Sequence, residues 1–221
     1  MSSRRAVAVL LAIGAIVLIA YPWIEREQQR RQQAQILGAW EQAQAELQAT
    51  QAAAVRTGLD RTRPAPEPAD STIVAEPGDR FELPSHVKGI EVKGVLRIDK
   101  IDLKEPLLEG TSKMALKLGI GTVVSGRKPG EIGNYALAGH RSWTYDHQFN
   151  RLDELDIGDE IVVQTAADTF TYAIHAISIV TPDEVSVLDE QNGKAEITLI
   201  TCEPLYKATH RLIVKGELKS T

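Results

Sequence analysis

Cysteine is scarce in this sequence, in which Cys202 is the only one among 221 residues. A single thiol can form neither an internal disulfide nor a multi-thiolate metal site, so disulfide-stapled folds and Cys-rich zinc sites are excluded. In a domain outside the cytoplasm an odd thiol is a candidate reactive group. The alternative is a buried cysteine that packs as a small apolar side chain.

Positive charge is also in short supply. There are 25 Lys and Arg residues against 30 Asp and Glu residues, which gives a formal net charge of −5. A nucleic-acid-binding protein would present a basic face, so this balance argues against nucleic acid as a partner. Hydrophobic residues make up 43% of the chain and charged residues 25%, which is typical of a globular domain with one core.

One long apolar run lies near the N-terminus. Residues 6–21 carry no charge, residues 22–24 extend the run, and Arg4 and Arg5 precede it. A transmembrane helix needs about 20 apolar residues, so the run is just long enough to span a bilayer. The positive-inside rule then places the N-terminus in the cytoplasm and the remainder of the chain outside the cell. We predict a single-pass, uncleaved signal anchor over residues 1–24; a cleaved signal peptide is the alternative.

The segment after the apolar run has the composition of a helix. Between residues 25 and 57 there is no proline and a single glycine, and Gln, Ala, Glu and Arg dominate. One weak apolar stripe follows helical spacing and consists of Ile36, Trp40, Ala43 and Leu47. We predict a plain solvated stalk helix over residues 25–59, since too few heptads are present for a coiled coil. Closely spaced prolines then predict an extended linker over residues 60–79.

Residues 80–221 show a different pattern of short β-type runs. About eight such runs are separated by turns that contain Gly, Pro or Asp, and this spacing is typical of a closed barrel or a sandwich. Two short helices are predicted among them, over residues 113–118 and 146–152. We therefore predict a mainly β domain with short helices, preceded by a transmembrane helix and a helical stalk.

Three side chains with reactive chemistry stand at the ends of predicted strands. Cys202 directly follows the strand 197–201, and a proline two residues on prevents the strand from continuing. His140 ends an apolar run, and Arg211 opens the last strand. Taken alone, His140 or Arg211 is more often a solvated surface group, and Cys202 a buried apolar one. Together they form a coherent acyl-transfer set, in which a thiolate attacks a carbonyl, a histidine moves protons and an arginine meets the oxyanion.

Two segments around these residues have the form of sequence motifs. One is Thr198-Leu199-Ile200-Thr201-Cys202, and the other runs from Gly133 to Arg141 as Gly-Asn, four residues, then Gly-His-Arg. They resemble the T-L-x-T-C and G-N-x-x-x-x-G-H-R motifs of the sortase family, cysteine transpeptidases of the bacterial cell surface. The likeness extends over about residues 90–218, with Thr122 where the family usually has a histidine. The single hydrophobic span and the lack of a lid-like N-terminal insertion look most like class D.

The resemblance implies an eight-stranded sortase-type β-barrel and a transfer reaction in two steps. Cys202 would cleave an LPxTG-like C-terminal sorting signal of a secreted protein, and a peptidoglycan-precursor amine would resolve the thioacyl intermediate. His140 would protonate the leaving amine and deprotonate the incoming one, while Arg211 would bind the oxyanion. Thr201 and the Glu203 backbone N–H are further oxyanion or substrate contacts by the same resemblance. The pocket candidates in the loop before the cysteine strand are Val185, Val187 and Leu188.

No cofactor is expected. A cluster of carboxylates raises calcium as an alternative, since hard cations prefer oxygen ligands, although a turn also explains the cluster. Its members are Asp153, Glu154, Asp156, Asp159 and Glu160. The remaining histidines do not have metal-ligand spacing; they are His86, His147, His175 and His210.

Three other functions stay open from the sequence. An L,D-transpeptidase also uses Cys and His outside the membrane, but its S-x-G-C-type motif does not match the residues around Cys202. A general cysteine protease would usually want an Asn or Asp that orients the histidine. A non-catalytic surface binding domain on a stalk would tolerate the loss of Cys202, which separates it from the enzymes.

Overall fold

The computed structural model describes residues 20–21, 23–25, 27–46, 48–49, 86–141, 147–190 and 193–219. The predicted linker over residues 60–79 and the apolar residues 6–19 lie outside this part of the chain. The predicted membrane anchor therefore stays a prediction. Of the helices that the structure does describe, none combines the length and the apolar character that crossing a bilayer requires.

Within the described residues, the chain forms two α-helices, three short 3-10 helices and nine strands. Helix α1 takes in all described residues from 20 to 49, and α2 is Lys113–Leu118. The strands are β1 (His86–Val87), β2 (Ile90–Ile98), β3 (Leu103–Leu108), β4 (Ile120–Thr122), β5 (Gly133–Ala138), β6 (Glu160–Gln164), β7 (Thr169–Val180), β8 (Ala195–Glu203) and β9 (His210–Leu218). The 3-10 helices are η1 (Asp99–Ile101), η2 (Leu152–Glu154) and η3 (Val185–Leu188).

The strands close into a barrel. Their order is β1-β2-β3-β4-β5-β8-β9-β7-β6, and β6 also pairs with β2, so the eight strands from β2 to β9 form a complete ring. The two-residue β1 only extends the edge beside β2. The pairs β3–β4 and β5–β8 are parallel, and the other pairs are antiparallel. The predicted eight-stranded, mainly β barrel is confirmed.

The interior of the barrel is filled by alternate side chains of the strands, as the two-residue period of a strand requires. In β8, for example, Ile197 and Leu199 are fully buried in the apolar core of the barrel. Phe149 and Leu152 enter the same core from the loop between β5 and β6. The predicted helix over residues 146–152 is wrong for residues 147–151, because Phe149 is buried in the barrel core and not on a helix face. Residues 147–151 form turns, and Gln148 makes an isolated β-bridge with Arg141.

The other predicted short helix, Lys113–Leu118, is confirmed as α2. Its N-cap is Ser112, whose Oγ accepts a hydrogen bond from the Ala115 N–H at 3.1 Å. The side chains of Ala115 and Leu118 are buried on the outside of the barrel, in a second apolar cluster.

Helix α1 completes that second cluster. Ile36 and Trp40 pack against Val92, Val95 and Leu108 of the barrel wall and against α2. Polar contacts flank the apolar stripe, among them the ion pairs Lys117–Glu25 and Lys104–Glu41. The predicted solvated stalk is thus wrong for the described residues of α1, because an apolar patch on the barrel exterior matches the stripe. The folded unit includes α1 as well as the described residues from 86 onward.

Candidate active site

The parallel pairing of β5 with β8 places His140 beside Cys202. Ala138 is in register with Ile200, and the Gly139 N–H donates to the Ile200 carbonyl at 3.2 Å. His140 and Cys202 each lie two residues beyond the Ala138–Ile200 pair on neighbouring parallel segments. Both therefore stand at the same end of the barrel.

Arg211 lies directly across from Cys202 on the antiparallel neighbour β9. Side chains of directly opposed residues point to one face of the sheet, with Cβ atoms about 4.5–5.5 Å apart. The Arg211 Nη1 donates to the backbone carbonyls of His210 at 2.9 Å and Ala208 at 3.3 Å. Cys202 is a free, half-buried thiol, and His140 is exposed. A thiol, an imidazole and a guanidinium therefore lie at one end of the barrel.

The outer face of β8, on which Cys202 is the last side chain, is the floor of the candidate site. Thr198 and Ile200 of β8 share the face of Cys202, because side chains alternate along a strand. Asn134 of β5 holds the loop that covers this floor: its Nδ2 donates to the Val187 carbonyl at 2.9 Å, and its Oδ1 accepts from Thr198 Oγ1 at 2.8 Å. Helix η3 is thereby fixed over the strand that carries the thiol.

The remaining predicted substrate contacts lie at the end of β8 and in η3. Thr201 points to the core, where its hydroxyl donates to the Gly139 carbonyl at 2.9 Å and joins the two strand ends. The Glu203 carboxylate forms an ion pair with Arg141. In η3, Val185 is 68% exposed while Val187 and Leu188 are half-buried. The roles of these residues toward a substrate stay predictions.

Arg141 belongs to the Gly-His-Arg motif, but the sequence reasoning gave its side chain no role. Its side chain is only 8% exposed and pairs with Asp153 at 2.9 Å as well as with Glu203. The ion pair with Glu203 connects the residue after His140 to the residue after Cys202. Its position next to the histidine is the one signal that could have found it.

Gln148 was missed as well. Its Oε1 accepts a hydrogen bond from the His140 backbone N–H at 3.1 Å, and its Nε2 donates to the Leu116 carbonyl at 2.6 Å. A cleft of about 290 Å³ opens beside these groups, between the His140 loop and the helices α1 and α2. No local sequence pattern predicts these contacts of Gln148, since its partners come from other parts of the chain.

The other described histidines are engaged elsewhere. His147 Nδ1 lies 2.8 Å from a Glu105 oxygen, His175 Nε2 lies 3.1 Å from Glu196, and His210 Nδ1 contacts the Thr209 hydroxyl. In the described ranges, no cluster of three or more His, Cys, Asp and Glu side chains is arranged to hold a metal ion.

The carboxylates that suggested a calcium site form ion pairs with lysine and arginine side chains. Lys100 Nζ lies 2.6 Å from Asp156 and 2.8 Å from Asp159. The hydrogen bond from Lys100 lowers the pKa of Asp159 below its ordinary value of 3.8, and the same contacts raise the pKa of Lys100. Arg151 lies 2.7 Å from Glu154 and likewise lowers its pKa. Asp156, Asp159 and Glu154 are therefore engaged in ion pairs with side chains of the same chain.

Comparison with known proteins gives a consistent result. The family model described as the sortase domain matches residues 96–219, more than half of the chain. Sortase A of Bacillus anthracis is 30% identical over 215 residues, which cover 97% of this chain and 94% of that protein. Sortase D of Bacillus subtilis is 35% identical over 130 residues, covering 58% of this chain and 64% of that protein.

Solved structures agree with the sequence relatives. A sortase D5 transpeptidase from Clostridium perfringens superposes with a TM-score of 0.54 at 32% identity, covering 59% of this chain and 80% of that chain. Sortase A of Listeria monocytogenes gives a TM-score of 0.56 at 30% identity, covering 58% and 88%.

The chain belongs to the sortase family, and it is a cysteine transpeptidase. The family assignment removes the ground for a non-catalytic binding domain and for an L,D-transpeptidase.

Proposed function

We propose that this sortase cleaves an LPxTG-like C-terminal sorting signal of a secreted protein and transfers the protein to an amine of the cell wall, with Cys202 as the nucleophile. One observation carries the proposal: the chain's single cysteine is opposite Arg211 and level with His140 at open strand ends. A cysteine transpeptidase with one cysteine has one candidate nucleophile. We also propose class D, for which the likeness to sortase D proteins is the support.

In this mechanism the Cys202 thiolate attacks the carbonyl carbon of the scissile peptide bond, forming a C–S bond and an oxyanion. The Arg211 guanidinium and the Glu203 backbone N–H donate to the oxyanion. When the oxyanion collapses, the C–N bond breaks and His140 gives a proton to the leaving amine. The second amine then attacks the thioester, His140 takes its proton, and the thiolate leaves again. Every proton is returned, so no further reactant is needed.

The sorting signal would lie on the outer face of β8, along the floor that leads to Cys202. Val187 and Leu188 border this floor where Asn134 holds η3, and Val185 is exposed beside them. Thr201 supports the site from the core side through its contact with Gly139. An extended peptide fits such a strand-lined surface because its alternate side chains can face the floor.

The proposed cellular location rests on the apolar N-terminal run of the sequence. We propose that residues 1–24 anchor the protein in the cell membrane as a single span, with the N-terminus in the cytoplasm and the catalytic domain outside. The lipid bilayer, the sorting-signal protein and the peptidoglycan precursor would then be its partners, and nucleic acid would not. Protease added to intact cells would remove the domain if this topology holds; protection of the domain until lysis would contradict it.

Calcium is not part of the proposed mechanism, because Lys100 already neutralises Asp156 and Asp159. We expect the transfer rate to be the same in millimolar calcium and in excess chelator. A rate that rises several-fold with calcium would show that a metal displaces the lysine.

The test uses the full chain in detergent micelles, since α1 packs on the barrel. The protein is incubated with a panel of L-P-x-T-G and L-P-x-T-A-type peptides and hydroxylamine, and mass spectrometry follows the transfer product. We expect product from the wild type, none from Cys202→Ala and strongly reduced amounts from His140→Ala and Arg211→Ala. Product from Cys202→Ala, or folded wild type that transfers no peptide of the panel, would contradict the proposal.

A further inference from the structure

The His140 segment is held by a buried hydrogen-bonded unit below it. The His140 backbone N–H donates to Gln148 Oε1 at 3.1 Å, and the His140 carbonyl accepts from the Phe149 N–H at 3.1 Å. The amide of Gln148 is fixed in turn, because its Nε2 donates to the Leu116 carbonyl at 2.6 Å. The position of the His140 backbone therefore depends on where residue 148 is held.

Glu105 of β3 determines that position. Its side chain is buried, and its Oε1 accepts from the Gln148 backbone N–H at 2.9 Å and lies 2.8 Å from His147 Nδ1. A buried carboxylate needs such donors, since an unpaired one would carry a large desolvation cost. Glu105 thus ties His147 and Gln148 to strand β3 of the barrel.

The second oxygen of Glu105 faces α1. Gln33 Nε2 donates to Glu105 Oε2 at 3.3 Å, and Gln33 is itself buried. Gln33 lies one turn before Ile36 and two before Trp40, the two side chains that seat α1 on the barrel. A continuous series of hydrogen bonds therefore runs from α1 through Glu105 and Gln148 to the His140 backbone.

We propose that α1 is a positioning element of the active site: Gln33, through Glu105 and Gln148, holds the His140 backbone level with Cys202. The three residues are positioning residues, since none of them touches the reacting atoms. The proposal rests on the proposed role of His140. It makes the membrane-proximal helix part of the catalytic unit and not only a tether between bilayer and barrel.

The first comparison is between Gln33→Ala and Gln35→Ala in the full chain in micelles. Both remove the same amide from the same helix, but Gln35 is exposed. With a transferable L-P-x-T-G-type peptide and hydroxylamine, we expect Gln33→Ala to lower kcat roughly 5- to 20-fold, as small displacements of catalytic groups do. The KM for the peptide should change less than about twofold, and Gln35→Ala should match the wild type. The folded fraction of each variant is measured by near-UV circular dichroism and rates are normalised to it, so partial unfolding does not count as slow turnover.

A swap separates positioning from simple packing. Gln33→Glu alone sets two carboxylates against each other, whereas Gln33→Glu with Glu105→Gln restores a donor and an acceptor between the same positions. We expect the single variant to lose turnover and the double variant to recover most of it. Selective ¹⁵N labelling of the five histidines provides a readout without catalysis. The His140 amide should exchange with solvent faster in Gln33→Ala and return toward the wild-type rate in the swap.

The outcomes are distinct. Equal kcat and equal His140 amide exchange in Gln33→Ala and Gln35→Ala would overturn the positioning role of α1. So would a double variant no better than Gln33→Glu. If the wild type itself transferred no peptide, the proposed function would fail, and the amide-exchange comparison would still decide whether the hydrogen bonds from α1 reach His140.

Discussion

The guanidinium of Arg211 is oriented before any substrate arrives, because two backbone carbonyls of the β8–β9 turn accept from its Nη1. In the proposed mechanism, the other N–H groups of the guanidinium meet the oxyanion. We predict that Arg211→Lys lowers kcat by about 10²–10³, the usual cost of removing one oxyanion donor, because an ammonium cannot bind the turn and the oxyanion in this geometry. Steady-state transfer kinetics measure it.

The control for that substitution is Lys207→Ala, which removes an exposed charge from the same turn. We expect it to retain the wild-type kcat. An Arg211→Lys variant within twofold of the wild type would mean that positive charge alone is sufficient at this position and that the planar fork has no special role.

Arg141 makes a different kind of contribution, since it joins the residue after His140 to the end of β8, next to Cys202. Its nearly buried side chain pairs with Glu203 and Asp153. We predict that Arg141→Gln lowers the free energy of unfolding by about 2–4 kcal/mol, because it leaves a partly buried carboxylate without its partner. In a double-mutant cycle with Glu203→Gln, the coupling energy should be about 1–2 kcal/mol. Urea unfolding of the four proteins measures it, and additive losses would refute a direct interaction.

Helix η3 depends on one buried amide. Asn134 lies under the loop and binds both the Val187 carbonyl and the Thr198 hydroxyl. We predict that Asn134→Leu raises the KM for the sorting peptide several-fold more than it lowers kcat, because it frees η3 but leaves the strand ends in place. The stability loss should be about 1–3 kcal/mol, as for other buried groups left unpaired. An unchanged KM in a folded variant would show that η3 does not border the substrate.

The barrel and the three strand-end residues could be predicted because their signals are local. Alternating apolar runs mark strands, and Cys202, His140 and Arg211 each stand where such a run stops or starts. The motif likeness then implied a closed barrel, which alternation alone does not distinguish from a sandwich. Residues 147–151 were misread as a helix, since Phe149 and Leu152 have helical spacing but are buried by the barrel and not by a helix face.

Contacts between distant segments were not predictable in this way. Arg141 with Glu203, and Glu105 with Gln148, are pairs that only the closed barrel brings together. The stripe of α1 was visible, but nothing in a single sequence says which surface it will meet. The patch that receives it is assembled from β2, β3 and α2, and each of these contributes only one or two of its residues.

Docking of α1 makes the folded domain larger than the barrel, and Trp40 is the side chain that tests it. Trp40 is 4% exposed against the barrel wall, whereas Trp23 on the same helix is 73% exposed. We predict that Trp40→Ala lowers the free energy of unfolding by about 3 kcal/mol, the usual loss for a buried aromatic, while Trp23→Ala changes it by less than about 0.5 kcal/mol. Chemical unfolding of the full chain in micelles, followed by circular dichroism, compares the two. Equal effects of the two substitutions would mean that α1 does not pack on the barrel in solution. The position of the His140 backbone would then depend on the barrel alone.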